Sequence, residues 1–401
     1  MKILFTTPIL EYPAAGGPQL RIENSIKALS RVCELHILHQ AQFRSDTVDF
    51  TNAYFSEFSS NYMTAYRYPR NRILRIGLKI LKKLSGIRFD RTESILIKYI
   101  IENEIDIVWF GFGNISFPLI KSVKKSLPKL KVVCDTDSVW SRFILREMPF
   151  AGGRRRRKIE LAGKQKKEEE KAWVNLCEVT TAVSQVDAEY YRSISNEPKR
   201  IHLFSNVIDL DTYKETPPPP KGFVKPCIFL AGSFGPNSAM NMAAEWILDE
   251  VMPILQVSFP GLHLYLVGRG SDREFAHRAG PTITVTGKVE SVLPYLLHSD
   301  VALVPLKFES GTRFKILEAG ACRIPLVSTT LGAEGIPVVD GKHILIADQP
   351  KEFAAEIIKL LNDRLLRKVL AENCFQLIES QYSIESLVSE ADSILKYIEN
   401  D

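Results

Sequence analysis

Residues 301–335 read VALVPLKFESGTRFKILEAGACRIPLVSTTLGAEG, and this stretch restricts the fold more than any other. Val301 to Leu306 is an apolar run too short for a free-standing helix and suited to a strand buried on both faces. A polar turn follows, Lys307 to Thr312. Phe314, Ile316, Leu317 and Ala321 then recur at helical spacing, which predicts a short helix over Arg313–Cys322. Pro325 ends that helix and Leu326 to Thr329 forms the next strand. A strand–turn–helix–strand unit makes a parallel sheet. Ligands of such sheets sit at the carboxyl ends of the strands, where helix N-termini offer free N–H groups and partial positive charge. Here that place holds Ser310, Gly311 and Thr312, small enough to let a phosphate reach the backbone. Arg313 and Lys315 add positive charge, and Glu318 stands one to two turns further in, where a carboxylate can accept two hydrogen bonds from a ribose diol. A second glycine turn, Gly332-Ala333-Glu334-Gly335, follows the next strand.

The same alternation fills the chain. In the first half, strands are expected at residues 2–8, 35–38, 106–111, 131–136, 179–184 and 200–204, with helices between them; residues 41–66 carry no clear pattern. The first strand runs into a glycine turn that holds Gly16 and Gly17. It is not a GxGxxG turn, and Gln40 rather than an acid ends the second strand, which argues against a dinucleotide site. Pro217 to Pro220 form a stiff extended spacer. Beyond it, strands are expected at 227–232, 263–268, 283–287, 301–306, 326–329 and 343–347, with helices at 238–257 and 350–362. A chain of 401 residues divided in this way makes two domains of sizeable core. The expected division is 1–212, joined by a returning helix at about 382–401, and 213–381. MKILFTTPIL at the start is broken by Pro8 and reads as a first strand rather than a signal peptide.

The wording of SGTRFKILEAGACRIPLVSTTLGAEG resembles the donor-site segment of glycosyltransferase family 4, in the subgroup with a Gly-Thr-Arg-x-Lys turn. That resemblance implies the GT-B fold, an α/β architecture of two facing Rossmann-like domains with parallel sheets and a deep cleft. It implies a retaining, hexosyltransferase-type enzyme of polysaccharide biosynthesis that moves a sugar from a UDP- or GDP-linked donor to a glycan or lipid-linked acceptor. Glu318 matches the second Glu of the family's Glu-x7-Glu motif. The first would fall at Ser310, and Glu309 stands one residue early. The resemblance places Gly16, Gly17, Gly232, Ser310, Gly311, Thr312, Arg313, Lys315 and Glu318 on the donor. Many relatives carry an Arg and a Lys after the first strand of the second domain; this chain has Ser233-Phe234-Gly235-Pro236 there, so the diphosphate falls to Arg313, Lys315 and the Gly311–Thr312 amides.

Asp135 and Asp137 end the 131–136 strand. A DxD pair invites a metal, but the family implied needs neither metal nor cofactor, and the pair reads as acceptor-side and catalytic candidates, with helix capping as the bland alternative. Six scattered cysteines without a CxxC pair argue against a zinc site or disulfide framework and fit a reducing cytoplasm. The net charge is only +5, but basic residues crowd into Arg67–Arg91 and 154–171. The first reads as a basic amphipathic helix suited to an anionic membrane surface, and so to a peripheral place on the inner membrane face, or else as a solvated helix. The second reads as a solvated helix with i,i+4 pairs, or else as a surface for membrane or an anionic acceptor. No nucleic-acid motif accompanies either. A non-hydrolysing nucleotide-sugar epimerase and a catalytically inactive scaffold stay open as alternatives.

Overall fold

The computed structural model of the protein describes residues 1–14, 16–40, 48–65, 92–309, 311 and 313–400. Ser310, Thr312 and the basic stretch Arg67–Arg91 lie outside the described residues. The chain falls into two compact units. One comprises Met1–Ser141, Leu161–Asn206 and Ile384–Asp401; the other comprises Arg142–Glu160 and Val207–Ser383.

The first unit carries seven strands: β1 (Lys2–Thr7), β2 (Glu34–His39), β3 (Asn61–Thr64), β4 (Ile107–Gly111), β5 (Lys131–Asp135), β6 (Val179–Ala182) and β7 (Ile201–Leu203). All pair in parallel, in the order β3-β2-β1-β4-β5-β6-β7. The central strands are apolar runs because both faces are covered: every residue of β4 is buried. β3 was not legible in the sequence. It is a four-residue edge strand, half-buried, with one neighbour, so it needs no apolar run. The closing helix Ile384–Asn400 buries Leu387, Ala391, Ile394, Leu395 and Ile398 in this unit, and Glu390 accepts the Ser205 amide (2.7 Å) and hydroxyl (2.8 Å).

The second unit carries β8 (Cys227–Ala231), β9 (His263–Val267), β10 (Ile283–Val285), β11 (Val301–Val304), β12 (Leu326–Ser328) and β13 (Leu345–Ile346), all parallel, in the order β10-β9-β8-β11-β12-β13. Each expected strand is present, and each is shorter at its carboxyl end because the chain leaves the ladder to form the turns. The helix expected over 238–257 is interrupted. Ala239–Trp246 gives way to a π turn at Ile247–Val251 before Met252–Ser258 resumes. Pro253 accounts for the break: it donates no hydrogen bond and its ring presses on the preceding turn.

Both units are therefore Rossmann-like α/β halves with parallel sheets, the pair of halves that makes up the GT-B class. In each sheet the strand order reverses once, between β1 and β4 and between β8 and β11. The crevice beyond such a reversal is where open α/β sheets bind ligands.

Candidate functional site

β8 and β11 are neighbours, so the turns after them open at the reversal point of the second sheet. Gly232 follows β8. Its amide donates to the Val267 carbonyl (3.0 Å), and Gly268, at φ +125°, lies so close that a Cβ there would sit 2.1 Å from the Gly232 oxygen. Only glycine fits at 268. The amides of Phe234 and Gly235 are likewise spent internally, on the Arg269 carbonyl and the Asn241 side chain. The β8 turn is thus a rigid floor whose amides at 232, 234 and 235 are already used.

The turn after β11 is different. Gly311 adopts φ +80°, and the buried Arg313 (5% exposed) folds back to donate to the Gly311 carbonyl. Arg313 therefore stiffens the turn rather than reaching away from it. The helix Phe314–Ala321 starts without a side-chain cap, and the amides of Phe314 and Lys315 have no described acceptor. The Lys315 ammonium is half-buried and forms no hydrogen bond or ion pair among the described residues. Burial lowers its pKa from the ordinary lysine value, against the raising pull of the Glu309 and Glu318 charges, while Arg313 lowers it further. One turn on, Glu318 is half-buried and accepts from the Tyr213 hydroxyl (3.2 Å). Burial raises its pKa, opposed by Lys315 and by that hydrogen bond. The arrangement can take an anion on Lys315 and two free amides, with a carboxylate one helical turn away.

Glu334, at the end of the short helix Thr330–Ala333 that stands after β12 where a glycine turn was expected, accepts from both terminal nitrogens of Arg146, each at 2.7 Å, and from Arg142 at 3.4 Å. Burial pulls the Glu334 pKa up, but Arg146, Arg142 and Arg313 outweigh it and hold the carboxyl below the ordinary glutamate range. Neither Tyr213 nor Arg146 carries a sequence signal. Each meets its partner across more than a hundred residues, 105 for Tyr213 and 188 for Arg146.

In the first unit, Gly16 caps the helix Gly17–Leu29, of which Gly17 is the first residue. That helix sends Arg21 (2% exposed) into the core, where it pairs with Asp135 (0% exposed) and donates to Asn206 (2.8 Å) and the Phe204 carbonyl (3.2 Å). Thr181 donates to the same Asp135 oxygen at 2.6 Å. Asp135 is thereby engaged within the core through Oδ1, while its buried Oδ2 has no hydrogen-bond partner among the described residues. Asp137, two residues on, is half-buried; its Oδ1 accepts from Asn114 (2.6 Å) and the Trp140 indole (2.9 Å), which leaves Oδ2 without a described partner. Burial raises its pKa, against those two hydrogen bonds, the Arg21 charge and a hydrogen bond from its own backbone amide. The charge run at 154–171 lies on the helix Gly153–Val174 with Arg154 to Lys158 exposed. Glu170 is the exception: fully buried, it accepts from the Ser141 amide (2.8 Å) and the Tyr190 hydroxyl (2.6 Å). No helix among the described residues is long and apolar enough to cross a membrane.

The family described as glycosyl transferases group 1 matches residues 225–363. The matched stretch takes in all six strands of the second sheet. It holds Gly232, Gly311, Arg313, Lys315, Glu318 and Glu334, but neither Tyr213 nor Arg146. The chain is 29% identical to the lipopolysaccharide core biosynthesis glycosyltransferase LpsE of Rhizobium meliloti over 136 residues, 32% of this chain and 40% of that protein. It is 24% identical to an uncharacterized glycosyltransferase of Methanocaldococcus jannaschii over 93% of this chain and 92% of the other. Among solved structures, Anabaena HepE in complex with UDP and glucose superposes with a TM-score of 0.66 at 13% identity, covering 99% of both chains. The sucrose-phosphate synthase of Thermosynechococcus elongatus gives 0.68 at 14% identity over 100% of both.

Proposed function

We propose that the protein is a retaining glycosyltransferase of family 4 type that transfers a hexosyl group from a UDP- or GDP-linked donor to a glycan or lipid-linked acceptor in polysaccharide biosynthesis. The observation that carries this is the turn after β11 in the glycosyltransferase domain. An unpaired, half-buried Lys315 lies beside two free helix-start amides, with Glu318 one turn away. Burying an ammonium without a counter-ion costs energy that a diphosphate returns. In this reading the diphosphate lies on Lys315, the Phe314 and Lys315 amides and the Ser310–Thr312 turn, with Arg313 holding that turn; no metal or cofactor is needed. Glu318 takes the ribose hydroxyls, its angle set by Tyr213. Catalysis comes from stabilising the departing diphosphate charge in a site built beforehand. Gly232 is a packing residue beneath the donor, and Gly16–Gly17 keep the start of the first helix open. Asp137, through its unengaged Oδ2, is the acceptor-side group, and Asp135 keeps the strand end beneath it in place. UDP is the first donor base to test because HepE is seen with UDP and with UDP-glucose. A cytoplasmic, membrane-peripheral setting belongs to the same reading and awaits vesicle binding by the full chain.

The test is nucleoside diphosphate release from UDP-glucose, UDP-N-acetylglucosamine and GDP-mannose with glycan acceptors, with the product's anomeric configuration read by NMR. Acceptor-dependent release with the donor's configuration kept is expected. An inverted product contradicts retention. Conversion of the free UDP-sugar to its epimer without acceptor moves the assignment to an epimerase.

A further inference from the structure

The glycosyltransferase domain ends its sequence match at residue 225 on the N-terminal side, yet the turn after β11 is braced by residues from far upstream. Residues 142–160 belong to the same compact unit as that turn. Within them Phe143, Arg146 and Phe150 recur at spacings of three and four. Phe143 and Phe150 pack on Phe308, with ring centroids 6.3 and 5.7 Å apart. Arg146 donates to the backbone carbonyl of Glu309 (2.7 Å) with the same Nη1 that binds Glu334 Oε1, while its Nη2 binds Glu334 Oε2. One guanidinium therefore ties the turn after β11 to the turn after β12. A fork of this kind fixes distance and plane together, which a lysine cannot do.

We propose that Arg146, with Glu334 as its anchor, is a positioning residue of the donor site that sets the turn on which the diphosphate rests. This rests on the donor reading above. The Glu309 carbonyl lies two residues before Gly311, whose left-handed backbone aims the turn. Held by Arg146, that carbonyl cannot rotate. Released, that carbonyl no longer fixes the approach to Gly311 and to the start of the helix that carries Lys315. Arg146 touches none of the proposed nucleoside contacts, so its loss is expected in diphosphate affinity and not in nucleoside affinity. Phe143 and Phe150 keep the segment in place when the guanidinium is removed.

Titration calorimetry on the full chain with UDP and with uridine, using wild type, R146K, R146Q, E334Q and R146Q/E334Q, reads this directly. Expected are a UDP Kd raised tenfold or more by R146Q, a smaller rise for R146K, and unchanged uridine binding. The two single changes should not add in the double variant, because they remove one unit. Equal losses for UDP and uridine, or additive losses, make the pair a general fold contact and overturn the proposal. Unaltered UDP binding by R146Q overturns it alone and leaves the donor reading standing. A wild type that binds no nucleoside diphosphate removes the donor reading and this inference with it. If R146Q does not fold, R146K and E334Q carry the same comparison.

Discussion

At the scale of single residues, the account turns on which charges are already answered. Asp135 is answered by Arg21 and Thr181 in the core, whereas Lys315 is not answered by any described partner. Asp135→Ala would strand the Arg21 guanidinium, so it should cost about 3–5 kcal/mol in urea unfolding. Asp137→Asn keeps the shape and both donors' partner oxygen. It should leave stability within about 0.5 kcal/mol while lowering turnover. Equal unfolding losses for both would contradict the division of labour between the two acids. Lys315→Gln removes a charge-assisted contact worth about 1.5–3 kcal/mol, so the Kd for a nucleoside diphosphate should rise roughly ten- to a hundredfold in calorimetry. The pH dependence has a definite sign. Burial lowers the Lys315 pKa, so its proton leaves earlier on the alkaline side than that of an ordinary lysine. Diphosphate affinity should fall as pH rises through that lowered value, and Lys315→Arg should flatten the fall, because a guanidinium stays charged. Over the same window the ligand-free fold should gain stability, since the unfolded chain there binds the extra proton. An affinity that rises with pH would contradict the assignment.

At the scale of elements, strands buried on both faces and the glycine turns were legible. Apolar runs of the length of Val301–Leu306 have few other uses, and Gly311 sits where a left-handed backbone is required. That Lys315 and Glu318 share one short helix was legible from local spacing; their proposed role on the donor came from the family resemblance. Arg146 and Tyr213 were not, because their roles come from packing between distant segments. The helix break at Ile247–Val251 was missed although Pro253 marked it, because the apolar periodicity continues through the break. That Arg313 also donates to the Gly311 carbonyl was not legible, because a residue type does not disclose which way a long side chain folds. The floor of the site supplies its own prediction. Gly268→Ala places a methyl group against the Gly232 oxygen in a backbone conformation that costs about 1–3 kcal/mol before any clash. Urea unfolding should show a loss at or above that range, and diphosphate affinity should fall with it. A variant as stable as wild type would mean that the two turns are not packed as described.

At the scale of the molecule, two Rossmann-like halves of similar design have diverged in what they leave open. In the first, the polar groups at the end of β5 are largely consumed by the Arg21–Asp135 pair, leaving Asp137. In the second, an uncapped helix, a lysine with no partner among the described residues and a half-buried glutamate remain at the sheet's reversal point. The alternation of strands and helices disclosed this two-part plan, but the Pro217–Pro220 spacer lies inside the second unit, which resumes at Val207. What alternation could not disclose is that residues 142–160 join the second unit, since nothing local distinguishes a helix that serves one core from a helix that serves the other. The proposed function places a nucleoside diphosphate on Lys315 and Glu318. It is tested most directly by thermal unfolding of the full chain with UDP, GDP, ADP and CMP, wild type beside Glu318→Ala and Lys315→Gln. One diphosphate at about 100 times its Kd should stabilise the wild type by about 2.7 kcal/mol, with that gain lost or sharply reduced in both variants. No stabilisation of the wild type by any of the four at millimolar concentration, or an undiminished gain in both variants, would contradict the account.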